Sequence, residues 1–200
     1  MTTERDLALV TLGLPPDRSV EQGDLSLVLA AAEAIDLLES GALTLDGDRV
    51  VPGPRVTTGD RLLDQAPASL VRREPYETVG DWLWRRGARL AAAYAEDLER
   101  AGLVVPPRGI GLRSQFTRTA PADSPERRRA EERRASGEPV LAALTAVLRT
   151  GDTQVDDCRS ADGDAANAVL AAVGDAVTEL QAARLRRDVE GNAFDNIWRG

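Results

Sequence analysis

Apolar residues recur at three- and four-residue steps through Leu25, Val28, Leu29, Ala32, Ile35 and Leu38, which predicts a helix from about Leu25 to Glu39. Asp24 is placed to cap its start, and Gly41 stops it. The period then changes from helical to alternating. LTLDGDRVV reads as a β-hairpin turning at Asp46-Gly47, and the loop PGPRVTTGD follows it. Thr58 or Asp60 can cap the next helix, RLLDQAPASL, which Pro67 limits or bends. A further helix opens at Thr78 or Asp81. It continues through WLWRRGARLAAAYAEDLERAGLV, with Leu83, Leu90, Tyr94 and Leu98 as its apolar stripe. Gly87 costs about 1 kcal/mol relative to alanine inside a helix, so it marks a break into two helices. Gly102 ends the run.

The later chain is less regular. Ile110, Leu112 and, after a polar gap, Phe116 alternate with glycine and arginine in VVPPRGIGLRSQF, as in a strand or an irregular hairpin. Ser124 followed by Pro125 is an explicit helix start, but the helix SPERRRAEERR is almost all charged and has little to bury. EPVLAALTAVLRTG is a short apolar helix. An acidic loop spans 150–163, and AANAVLAAVGDAVTELQAARLRR closes the helical set, with FDNIW as a terminal turn. No repeat period is present. The expected architecture is mainly α, one domain over residues 1–200, with one or two small β-hairpins.

Composition removes several chemistries. Among 200 residues there is no histidine, the commonest general base and metal ligand. There is also no lysine: all 25 basic residues are arginine, which excludes a Schiff base or a P-loop lysine. One cysteine, Cys158, rules out an internal disulfide framework. The available carboxylate pairs, Asp156 with Asp157 and Asp46 with Asp48, lie in turn-like sequence and read as solvated loop charge. Gly109-Ile110-Gly111 is too short for a dinucleotide fingerprint. Neither a cofactor nor a metal is expected, and an enzyme is not.

A net charge of −8 argues against a nucleic-acid partner. The charge is uneven, however: from Arg108 to Arg134 eight arginines face four acids, so a basic segment sits on an acidic body. No apolar run approaches the roughly 20 residues of a spanning helix. Charges at the start, MTTERDLALV, point to a cytoplasmic protein.

The stretch ETVGDWLWRRGA concentrates the ambiguity. Arg85, Arg86 and Arg89 follow Trp82 and Trp84 closely, and arginine with indole suits a phosphate-bearing membrane interface. The same residues also suit one core tryptophan, one half-buried ring and solvated arginines. The charged helix after Ser124 is likewise either self-paired at i, i+3 and i, i+4 or a basic face against an anionic leaflet.

TTGDRLLDQA, then PYETVGDWL, a helix ending LERAGLV, VVPPRGIGLRSQF and a charged helix opening at SPERRR occur in that order. This series resembles the Golgi phosphoprotein 3 family over roughly residues 25–150. The resemblance implies a mostly helical fold around a central bundle, with Glu77-Thr78-Val79 and Trp82 in a packing motif. It also implies peripheral association with the cytosolic face of a membrane through phosphatidylinositol 4-phosphate, and a hairpin (103–119) that supports homo-oligomers. The family's headgroup tryptophan and arginine fall here near Glu21 and Ala30, and its two basic central-helix residues near Ala88 and Ala91. Arg85, Arg86, Arg89 and Arg18 are the nearby arginines expected to meet an anionic lipid headgroup instead. Trp84, Arg108, Arg113 and Phe116 are expected to contact membrane or a partner. The rival expectation is a protein–protein adaptor or self-assembling module.

Overall fold

The computed structural model of the chain describes residues 2–12, 20–105, 120–121, 123–150 and 163–197. Its helices are α1 (Thr3–Leu12), α2 (Gln22–Glu39), α3 (Gln65–Ser69), α4 (Val79–Arg86), α5 (Leu90–Arg100), α6 (Pro125–Ala135), α7 (Pro139–Thr150) and α8 (Gly163–Ile197). Two antiparallel strand pairs accompany them: β1 (Leu43–Asp46) with β2 (Arg49–Pro52), and β3 (Val104–Val105) with β4 (Ala120–Pro121). The expected mainly α fold with small hairpins is the one observed.

The core forms around α2. From Asp24 to Ile35 every residue of this helix is buried, so it is covered on all sides rather than on one stripe. α1, α4, α5, α7 and α8 all pack against it. Its C-terminus unwinds through Ser40 into Gly41 at φ +69°, and Ala42 N–H donates to Leu37 O at 2.9 Å, as the stop at Gly41 predicts. Its start differs from expectation. The helix begins at Gln22, and Asp24 lies inside the first turn, buried, with Gln181 and Arg184 of α8 as partners. Asp24 is therefore a tie between helices and not a cap.

The first hairpin has the expected position. Asp46 pairs with Arg49 across Gly47 and Asp48, and Gly47 alone takes a positive φ (+60°), the sign pattern of a type II′ turn. The hairpin is stitched to the start of α4: Val50 N–H donates to Glu77 O at 3.0 Å, and Val79 N–H donates to Asp48 O at 2.9 Å. Asp60 caps the turn after the loop, accepting from Leu62 N–H and Leu63 N–H at 2.8 and 3.1 Å. Pro67 sits in the first turn of α3, which ends two residues later.

α1 is the element that periodicity does not reveal. Glu4 and Asp6 interrupt its apolar residues, yet both are as buried as Leu7, Ala8 and Leu9. Asp6 pairs with Arg133 of α6 at 2.5 Å, and Asp36 of α2 accepts from Thr3 N–H at 2.7 Å. A helix that buries its charges looks irregular on a hydropathy pattern. α6 follows its expected start, with Ser124 Oγ accepting from Arg127 N–H at 3.2 Å, and it buries Ala130 against α1. Among its arginines, Arg127 pairs within the helix with Glu131 at 2.8 Å and Arg129 with Glu126 at 3.9 Å, Arg128 lies 4.0 Å from Asp123 before the helix, and Arg133 reaches Asp6 of α1. Among the described residues, no helix is long and apolar enough to cross a membrane.

Candidate functional site

The tryptophan and arginine cluster lies on α4 and the three-residue junction to α5. Thr78 starts α4: its Oγ1 accepts from Asp81 N–H at 3.0 Å and its hydroxyl donates to Asp81 Oδ2 at 2.7 Å. Trp82 and Trp84, two residues apart, project about 200° from each other on the helix. Trp82 is fully buried and Trp84 is 40% exposed. One ring therefore belongs to the core and the other to the surface.

The three arginines do not form one surface. Arg85 makes a bidentate pair with Glu77, Nε to Oε2 at 3.0 Å and Nη2 to Oε1 at 2.5 Å. Arg86 turns inward, donating to both oxygens of Glu33 at 2.6 and 2.8 Å and to Leu62 O at 2.9 Å. Tyr94 donates its hydroxyl to Glu33 Oε1 at 3.0 Å, so the carboxylate is surrounded by donors. Burial still pushes Glu33 above the usual carboxylate range, against the lowering effect of Arg86 and Tyr94. Burial acts to lower Arg86, but the hydrogen bonds and charge of Glu33 outweigh it and raise the guanidinium. Arg86 is thus a core residue, and the expectation that it reaches a headgroup does not match its position.

Arg89 is different. It is exposed, it has no ion pair among the described residues, and its backbone is left-handed at φ +63°. A non-glycine residue in that region costs on the order of 1 kcal/mol and marks a place where the surroundings impose the conformation. Gly87 explains the imposition. A Cβ there would lie 2.6 Å from Leu83 O and 3.2 Å from Ser26 O, so only glycine lets the junction lie against α2. Ser26 completes the contact, its Oγ accepting from Ala91 N–H at 3.1 Å.

The junction forms one wall of a half-open cleft of about 620 Å³. Gln22, Gly23 and Ser26 come from the start of α2, Trp84 from α4, Arg89 from the junction, Ala92 and Glu96 from α5, and Leu180 from α8. Gly23 admits α8 at close range, since a Cβ would meet Arg184 Nη2 at 2.6 Å. Arg184 itself pairs with Asp24 at 2.7 Å beside the cleft. The walls are mainly apolar, with one arginine and one glutamate. No group of three or more potential metal ligands occurs among the described residues.

Residues 4–191 match the family model of Golgi phosphoprotein 3 (GPP34). The chain belongs to this family. Among curated proteins, none matches it. The Golgi phosphoprotein 3 match extends past both ends of the motif series, taking in α1 and most of α8.

Of the positions to which the resemblance carries the headgroup residues, Ala88 lines the cleft and Glu21 directly precedes Gln22 at its edge. Ala30 and Ala91 are buried. Arg18, Arg108, Arg113 and Phe116 lie outside the described residues. Glu96, Gln22 and Gly23 were not singled out from sequence. No local sequence signal joins Glu96 to Arg89, because the left-handed turn at Arg89 interrupts the helical period between them.

Proposed function

We propose that this Golgi phosphoprotein 3 family member is a peripheral membrane protein that binds, without turnover, the phosphate of a lipid headgroup in the cleft beside Arg89. The observation that carries the reading is Arg89 itself. Of the three clustered arginines it alone is held outward and unpaired among the described residues, with Trp84 half exposed on the same wall. A guanidinium fork matches phosphate oxygens, and an indole partitions to the level of the headgroups. The start of α2 adds backbone N–H groups and the positive end of its dipole to the same cleft. Flotation of the chain with phospholipid vesicles at low salt is the test. Binding is expected to weaken as salt rises and to be lost in Arg89→Gln. Absence of binding to vesicles of any composition, or flotation of Arg89→Gln like the wild type, overturns it.

A second reading, contact with a protein or with another copy, is favoured by a separate observation. Leu185 and Val189, one turn apart on α8, are 67% and 68% exposed. Their replacement by glutamate, with the molar mass followed by light scattering, tests it. A mass that is unchanged and monomeric in both forms counts against self-assembly there. The corresponding test at the 103–119 hairpin is deletion of residues 108–118.

A further inference from the structure

The cleft carries one cation and one anion, Arg89 and Glu96, and this restricts the headgroup. Arg89 directly precedes α5 and Glu96 lies in its second turn, and both side chains line the cleft. Both are exposed, and neither has an ion pair among the described residues. The arginines that would otherwise neutralise Glu96 are committed elsewhere. Arg100, one turn further on, pairs with Asp97 at 2.9 Å, as does Arg61 at 2.8 Å. Arg184, next to the cleft, pairs with Asp24.

A phosphomonoester headgroup with several negative charges would meet a single guanidinium here and a carboxylate facing it. The whole chain has a net charge of −8, which opposes approach to a strongly anionic leaflet. A zwitterionic headgroup meets neither obstacle. Its phosphodiester can accept from Arg89, and a primary ammonium can donate to Glu96, so that each charge finds its opposite. A primary ammonium offers three N–H donors that a quaternary one lacks.

We infer that the cleft selects a phospholipid bearing a phosphoethanolamine headgroup, with Arg89 holding the phosphate and Glu96 the ammonium. This rests on the reading of the cleft as a lipid headgroup site and narrows it.

The test is sedimentation of the full chain with four sets of vesicles: phosphatidylcholine alone, and the same lipid doped with phosphatidylethanolamine, phosphatidylglycerol or phosphatidylinositol 4-phosphate. Phosphatidylethanolamine is expected to raise the affinity about tenfold over phosphatidylcholine, the scale of one charge-assisted hydrogen-bonded contact. Glu96→Gln is expected to remove that gain, and Glu96→Arg to shift preference to phosphatidylinositol 4-phosphate. Thermal melts of both variants, expected to match the wild type, exclude misfolding at this exposed position. A wild-type preference for either anionic lipid that Arg89→Gln abolishes overturns the inference while leaving the headgroup site standing. So does a phosphatidylethanolamine gain that Glu96→Gln retains. Binding of free O-phosphoethanolamine in calorimetry without any vesicle binding overturns the membrane assignment itself.

Discussion

Arg86 on α4 donates from Nε and Nη2 to the two carboxylate oxygens of Glu33 on α2, 53 positions earlier in the chain, at 2.6 and 2.8 Å. The pair joins the central helix to the helix that carries the cleft, in a site where Glu33 is fully buried and Arg86 nearly so. Removing one partner leaves the other charge uncompensated in low dielectric. Arg86→Ala is therefore expected to cost about 3–5 kcal/mol. The double variant Glu33→Leu with Arg86→Met removes both charges and should recover much of that loss, leaving Tyr94 to find another acceptor. Urea unfolding of the two single variants and the double variant measures the coupling. Additive losses would mean that the pair is not a unit.

Glu4 is fully buried with no ion pair among the described residues, and the carboxyl of Asp36 is its acidic neighbour. Burial, reinforced by the hydrogen bond and charge of Asp36, pushes Glu4 up to about 10. The unfolded chain titrates at the ordinary carboxylate value, so folding favours the protonated form. Stability from this group is fully present below the unfolded pKa of 4.5 and declines as the pH rises toward 10. Glu4→Gln is uncharged at every pH and carries N–H donors toward the carboxyl of Asp36. The variant is expected to gain roughly 1–3 kcal/mol at pH 8 and nothing at pH 4. Denaturant midpoints across pH 4–9 check the sign. A gain that does not grow with pH would contradict the protonated assignment.

How much of this was legible in the sequence depended on where charge was buried. α2, α4, α5 and the first hairpin followed from periodicity, from Gly41, Gly47 and Gly87, and from the Thr78 cap, because each of those signals is local. α1 was missed because Glu4 and Asp6 break its apolar pattern while lying in the core. The arginine cluster stayed ambiguous in sequence because its partners are distant in the chain or in a preceding turn. Arg85, Arg86 and Arg89 have identical chemistry in one dimension, and only the third dimension supplies Glu77 to the first and Glu33 to the second. Glu33 stands alone in the apolar run AAAEAI, and an isolated acid in a buried stripe is a sign that a cation will arrive from elsewhere.

Gly87 tests how tightly the cleft is coupled to the core. Its missing Cβ leaves room for Leu83 O and Ser26 O, both backbone atoms that cannot swing aside. Gly87→Ala is expected to lose about 2–3 kcal/mol in place of the roughly 1 kcal/mol gain that the same change brings at an open helical position. The displaced junction should also alter the emission of Trp84 at the cleft wall. Thermal melts with tryptophan fluorescence follow both effects. A stabilised variant would mean that α2 can move away from the junction.

Arg89 separates backbone strain from charge. Its left-handed conformation (φ +63°) is one that glycine adopts without penalty, so Arg89→Gly is expected to stabilise the fold by about 1 kcal/mol. The same substitution removes the cation from the cleft and should lower vesicle binding as much as Arg89→Gln does. Arg89→Gln keeps the strain and should leave stability near that of the wild type. Measured side by side with the wild type, Arg89→Gly ranks above it in stability and below it in binding, while Arg89→Gln differs from it in binding alone, if the arginine is retained for its charge. If Arg89→Gly is destabilised, the side chain contributes packing that its exposure does not suggest, and the strain argument for function at this position fails.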